Sequence, residues 1–173
     1  MNLRDLQAPF KRRYEQDPEA AQITMTVRSA PSDLTDPLHC AIAPDAVPGL
    51  TWRSGAHPGV GGAGDVACSG DLLMGALAAC QEVTLRMVAA AMGVQLEAVE
   101  VEVSGRADLR GTLAMSRDVS VGVTSITCTT RVKLQEGTNP DRARRLLENA
   151  ERYCVVLNTL RSGVPVDSHF RLE

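Results

Sequence analysis

Apolar and polar positions change period several times along the chain, and each change marks an element. Leu3, Leu6 and Phe10 recur at helical spacing over residues 1–20, with Pro9 interrupting and Asp17-Pro18 closing the segment. From Gln22 to Arg28 the chain alternates (Ile23, Met25 and Val27 against Thr24 and Thr26), which predicts a half-buried strand. Shorter strands are expected at 38–43 and 50–53, with Pro31, Pro37, Pro44 and Pro48 in the turns. Residues 54–70 read as a glycine-rich loop.

Residues 71–92 then form the strongest helix candidate. Ser69 or Asp71 can cap its start and Gly93 sits where a helix stops. It is apolar almost all round, which predicts burial on most sides. Two long β-branched strands are expected at 97–107 and 118–134, joined by a hairpin or a longer excursion. A second helix is expected over 139–161, capped by Thr138 or Asn139, with Pro140 in its first turn and Gly163 past its end. Ala143, Leu146, Leu147, Ala150, Cys154 and Leu157 form one stripe along it. Residues 164–172 suggest a final edge strand.

The 173 residues suit one domain, and 44% apolar with 23% charged residues is an ordinary globular composition. The formal charge of −3 gives no basis for binding nucleic acid or an anionic membrane. Five aromatic residues (one Trp, two Tyr, two Phe) are few for base stacking. No run of about 18 uninterrupted apolar residues predicts a membrane span. The N-terminus lacks the apolar core of a secretory signal, so a cytoplasmic location is expected.

Five cysteines, an odd number without dense spacing, suit a reducing compartment in which a disulfide is transient and catalytic. Cys40, Cys68 and Cys128 read as small buried hydrophobes. Cys80 and Cys154 each lie on a helix face that meets the core, so their sulfurs can approach each other. No CxxC, HExxH or close Cys/His pair points to a metal. Gly59-Val60-Gly61-Gly62-Ala63-Gly64 matches GxGxxG, but His57-Pro58 precedes it and the helix opens about six residues later, so it reads as a loop. No GxSxG or GxxxxGK[ST] is present. Arg142, Arg144 and Arg145 read as a solvated helix face.

The segment Gly70-Asp71-Leu72-Leu73-Met74-Gly75-Ala76-Leu77-Ala78-Ala79-Cys80, with Glu151-Arg152-Tyr153-Cys154 later, resembles the OsmC/Ohr family of osmotically inducible and organic-hydroperoxide-resistance proteins. The likeness spans residues 20–170, so residues 1–20 are an added helix before a single OsmC-like domain at 21–173. It implies an α+β fold with long buried central helices flanked by antiparallel sheets, built as an intertwined homodimer. It also implies a cysteine peroxidase with Cys80 as the peroxidatic thiol and Cys154 as the resolving thiol. Gly70-Asp71 stands where the family often has Pro-Glu, and Val155 where Pro commonly follows the second cysteine. Those departures make Asp71 a supporting candidate and point to a less characterised branch.

Thiolate, not thiol, attacks a peroxide, and burial raises a cysteine pKa from about 8.5. Cys80 lies too far into its helix for the N-terminal dipole to help, and Arg86 is about 240° round the axis. A cation from another segment is therefore expected, Arg28 first and Arg53 second. The expected cycle needs no metal, flavin or nucleotide, only an external dithiol reductant, which the resemblance implies is of lipoyl type. Two other readings remain open: a non-enzymatic protein binding an apolar ligand at a dimer-interface pocket, and a cysteine transferase or hydrolase with His39, His57 or His169 as base.

Overall fold

The computed structural model describes residues 2–172. Its contacts divide the chain into two compact units, one running up to Gly75 and including Val103–Thr127, the other Ala76–Glu102 and the chain from Cys128 onward.

In the first unit, helix α1 (Leu3–Gln16) starts at Asn2, whose Oδ1 accepts the Arg4 N–H at 3.1 Å. Pro9 lies inside α1 rather than interrupting it, and a single missing N–H costs only one rung of the helix. Strands β1 (Val27–Ala30), β2 (His39–Pro44) and β3 (Trp52–Gly55) form an antiparallel meander in that order. The strand expected over 22–28 begins only at Val27. Val27 pairs with Pro44, where β2 runs out, so Ile23 and Met25 have no partner strand and stay 75% and 80% exposed.

The GxGxxG segment is a loop. A short 3-10 turn (Pro58–Val60) opens on His57, whose Nδ1 accepts the Gly59 N–H. Gly61 has φ +99°, and a Cβ at Gly62 would run into the Ala56 carbonyl, so close chain approach rather than phosphate binding demands these glycines.

Helix α2 (Ser69–Met92) crosses from the first unit into the second. Strands β4 (Leu96–Ala107) and β5 (Val123–Leu134) form a two-stranded sheet. Bonds between Gln95 and Gln135 at one end and between Arg106 and Thr124 at the other make it antiparallel. The excursion between them holds the short helix α3 (Leu109–Thr112), and β5 starts five residues later than the pattern suggested.

The second unit carries the apolar core. Leu85 and Ala89 of α2, Val94, and Leu146 and Ala150 of α4 (Pro140–Tyr153) are buried together. Val88, Val99, Val132 and Leu134 pack against them. The outer face of the sheet is ionic, with Lys133 on Glu97 at 2.7 Å and Arg131 on Glu100 at 3.3 Å.

Four expectations are corrected here. The 139–161 helix is two helices, α4 and α5 (Val155–Ser162), because Cys154 leaves helical geometry at φ −73°, ψ 105°. Residues 164–172 form no strand. Within one chain, α2 is buried only along Leu77, Gln81, Leu85 and Ala89, a four-residue repeat that makes a single line, while Leu73, Val83 and Met87 are 38%, 54% and 41% exposed. Leu147, expected on the buried stripe of α4, is likewise 49% exposed.

Candidate functional site: a thiol pair at a helix break

Cys154 is fully buried where α4 ends and α5 begins. A break of this kind orphans the last carbonyls of one helix and the first N–H groups of the next. Asn158, one turn into α5, answers the first need. Its Nδ2 donates to the carbonyls of Cys154 (2.8 Å), Arg152 (3.1 Å) and Glu151 (3.4 Å). Arg161 also reaches back to Glu151 at 2.6 Å. The break is therefore braced by two side chains.

The freed N–H groups face sulfur. Cys80 is half-buried on α2, with the Thr84 hydroxyl 4.0 Å from its Sγ. Burial alone raises its pKa, but the neighbouring N–H groups of Val156 and Val155, the Cys154 thiol and Thr84 favour the charged sulfur and together bring it below an ordinary thiol. Cys154 goes the other way. Burial pushes it up to about 11, against a donated Leu157 N–H, and the negative charge forming on Cys80 and Cys128 adds to the rise. All five cysteines are free thiols. The two sulfurs thus differ in acidity, Cys80 shifted below an ordinary thiol and Cys154 well above it.

The structure brings Cys80 and Cys154 together, and it places the other candidates in the first unit. Arg28, on β1, is 69% exposed and its Nε and Nη2 hold Asp45 at 2.9–3.1 Å. Arg53, on β3, is exposed and its charge helps to lower Asp65. Asp71 is committed to a cap: its Oδ2 accepts the Cys68 N–H at 2.9 Å while Cys68 Sγ accepts the Asp71 N–H at 3.5 Å. That is a capping box with sulfur in place of the usual hydroxyl, and it holds the Asp71 carboxyl below its ordinary range. Among the described residues, no group of three or more His, Cys, Asp or Glu side chains is disposed to hold a metal.

Sequence reading missed the Val155 and Val156 amides and the brace from Asn158. The amides carry no side-chain signature. The visible hint was Val155-Val156, a β-branched pair that weakens a continuous helix just after a buried cysteine.

An antiparallel sheet packed on a long apolar helix, with a thiol pair at the break between α4 and α5, defines an α+β class of thiol protein. The model of the family described as OsmC-like protein matches residues 62–169, and the chain belongs to that family. Solved structures agree on the fold. An OsmC-like protein from Mycoplasma pneumoniae superposes with a TM-score of 0.64 at 14% identity, over 82% of this chain and 90% of the other. An organic hydroperoxide resistance protein from Elizabethkingia anophelis gives 0.60 at 17% identity, over 83% and 91%. A predicted redox protein of the same description from Legionella pneumophila gives 0.57 at 21% identity, over 82% and 91%. No curated protein sequence matches the chain.

Proposed function

We propose that the protein is a thiol-dependent peroxidase that reduces organic hydroperoxides through Cys80 and Cys154. The reading is carried by the opposed acidities of the two thiols beside the buried helix break at Cys154: neighbouring Val156 and Val155 N–H groups help to bring Cys80 below an ordinary thiol, while burial pushes Cys154 up to about 11. Family membership, and neighbours described as organic hydroperoxide resistance proteins, support peroxide-related chemistry.

The Cys80 thiolate attacks one peroxide oxygen. An S–O bond forms, the O–O bond breaks, and the alkoxide takes a proton and leaves as an alcohol. The sulfur becomes a sulfenic acid. Cys154 condenses with it, water leaves, and the Cys80–Cys154 disulfide forms. An external dithiol of lipoyl type then reduces that disulfide by exchange. Apolar residues around the pair favour an alkyl hydroperoxide over hydrogen peroxide, because the alkyl tail gains burial. The alternative, an apolar binding site without chemistry, gains little from the first unit's open pocket of about 570 Å³, whose rim carries Arg106, Asp108 and Arg110.

The same reading makes the working form a homodimer. The uncovered apolar faces of α2 call for cover. By length and composition α2 is apolar enough to cross a membrane, but the Glu82–Arg86 ion pair at its middle suits a second copy of the chain better than lipid. Five free thiols suit a cytoplasmic, reducing setting. The test is to count free thiols before and after one equivalent of cumene hydroperoxide. Rapid loss of two thiols per chain, reversed by dihydrolipoamide, is the expected result. No loss overturns the peroxidase reading.

A further inference from the structure

Gln81 follows Cys80 on α2 and lies on the buried line of that helix, between Leu77 and Leu85. The residue is only 8% exposed, and among the described residues its Oε1 is the one buried side-chain oxygen or nitrogen without a hydrogen-bond partner. A buried acceptor left unpaired lowers stability, so a fold that keeps one calls for a reason. Leu77 and Leu85, one turn to either side, bring no side-chain donor. Helices α2 and α4 run antiparallel: Arg142, in the first turn of α4, donates to the carbonyl of Met92 at the end of α2, while Cys80 and Cys154 lie together at the other end. Leu85 shares one core cluster with Leu146 and Ala150. Gln81 is one turn beyond Leu85, and Cys154 one turn beyond Ala150, in the direction away from Met92 and Arg142. The unpaired amide oxygen therefore belongs to the thiol end of the helix pair.

We propose that Gln81 binds the hydroperoxide: its Oε1 accepts the O–H of the substrate and holds the terminal oxygen for attack by Cys80. This deepens, and rests on, the peroxidase reading above. An amide oxygen only accepts, so its ligand must bring a donor. An alkyl hydroperoxide brings one O–H, on the oxygen that the thiolate attacks. The S–O bond forms at that oxygen, the O–O bond breaks, and the electron pair leaves on the alkoxide, which takes a proton from solvent. The hydrogen stays on the transferred oxygen. The Cys80 sulfenic acid thus keeps the same bond to Gln81 until Cys154 condenses with it and that oxygen leaves as water. An electrophile without an O–H gains nothing from Gln81.

Three samples decide the matter: the full-length protein, Gln81→Met and Gln81→Leu. Each is treated with cumene hydroperoxide and, separately, with methyl methanethiosulfonate, a thiolate reagent that carries no hydrogen-bond donor. Loss of the Cys80 thiol is followed by peptide mass spectrometry. Both substitutions should slow the hydroperoxide reaction about tenfold, the worth of one hydrogen bond, and leave the thiosulfonate rate within about twofold. Equal slowing with both reagents would mean a displaced Cys80 and overturns the role of Gln81, as does an unchanged hydroperoxide rate. Either result leaves the peroxidase reading intact. Absence of any hydroperoxide reaction in the unsubstituted protein overturns both.

Discussion

The two compact units use polarity in opposite ways. In the unit up to Gly75, side-chain charges are paired with one another and fix loops: Arg28 with Asp45, His39 between Asp36 and Asp65, and Asp71 on the Cys68 amide. In the unit from Ala76, the site is lined by apolar rows and the donors at its sulfur are mostly backbone N–H groups. The difference teaches where ionisation of a buried nucleophile can originate. A guanidinium already held by a carboxylate has little left to give, whereas a helix start presents unpaired N–H groups at no cost in side-chain entropy.

The largest effects break the thiol pair itself. Cys80→Ser should cut peroxide turnover by at least about a thousandfold, since the nucleophile is lost. Cys154→Ser should allow one turnover and leave a sulfenic acid on Cys80 that dimedone traps. Stopped-flow peroxide consumption and mass spectrometry read these outcomes. Full turnover in Cys80→Ser would remove the second unit's claim to chemistry.

The next effect is in pH. Because Cys80 is lowered below an ordinary thiol, its thiolate and its reactivity should appear as pH rises through a value below 9. At a pKa of about 11, Cys154 should be roughly one part in a thousand ionised at pH 8. Iodoacetamide at pH 8, read peptide by peptide in a variant lacking Cys40, Cys68 and Cys128, should label Cys80 well ahead of Cys154. Arg28→Ala should leave the Cys80 labelling profile within about threefold. A shift of a full pH unit (about 1.4 kcal/mol) would mean that a guanidinium, not the helix start, governs the thiol.

Much of this was legible in the chain. The period of α2, the alternation of β4 and β5 and the offsets of Leu146, Ala150 and Cys154 identify the elements and both cysteines, because burial writes itself into side-chain identity. The break at Cys154 left only the faint mark of the β-branched Val155-Val156 pair. A stripe at helical spacing continues through it, and the brace that permits it is one asparagine reaching three carbonyls. The activating amides belong to whatever residues follow a break, so no letter in the sequence announces them. The expectation of a cation followed from counting side chains alone. Likewise α2 reads as buried all round because its composition is apolar on nearly every face, including faces a single chain leaves open.

A smaller effect separates the brace from the thiols it positions. Asn158→Ala removes donors to three carbonyls in an exposed setting, which should cost about 1 kcal/mol of stability. It should also raise the pH at which Cys80 is alkylated, because the Val155 and Val156 N–H groups lose their fixed direction. Asn158→Gln should recover less than half of that shift. Unchanged labelling with lowered stability would make Asn158 a fold residue only.

The smallest effect lies in the first unit and tests its side-chain pairing. His39 Nδ1 meets Asp36 at 2.7 Å and Nε2 meets Asp65 at 2.9 Å. Carboxylates only accept, so both contacts are hydrogen bonds only when both ring nitrogens donate, that is, in the imidazolium. The bond to Asp65 and then that to Asp36 raise its pKa above 6.5, and the partners are lowered below 3.8. A raised histidine stabilises fully below its unfolded pKa and loses that contribution as pH rises through its folded value; the lowered carboxylates lose theirs only as pH falls through their own folded values. The staple between β2 and the glycine-rich loop should therefore be strongest between about pH 4 and 6.5. Limited proteolysis within 57–68 should accelerate as pH rises past the His39 transition, and His39→Gln should abolish that dependence. The Cys80 labelling profile of His39→Gln should match that of the unsubstituted protein, since its donors come from α5, Cys154 and Thr84. A matched shift in both units would mean that the polar and apolar halves are not independent in their chemistry.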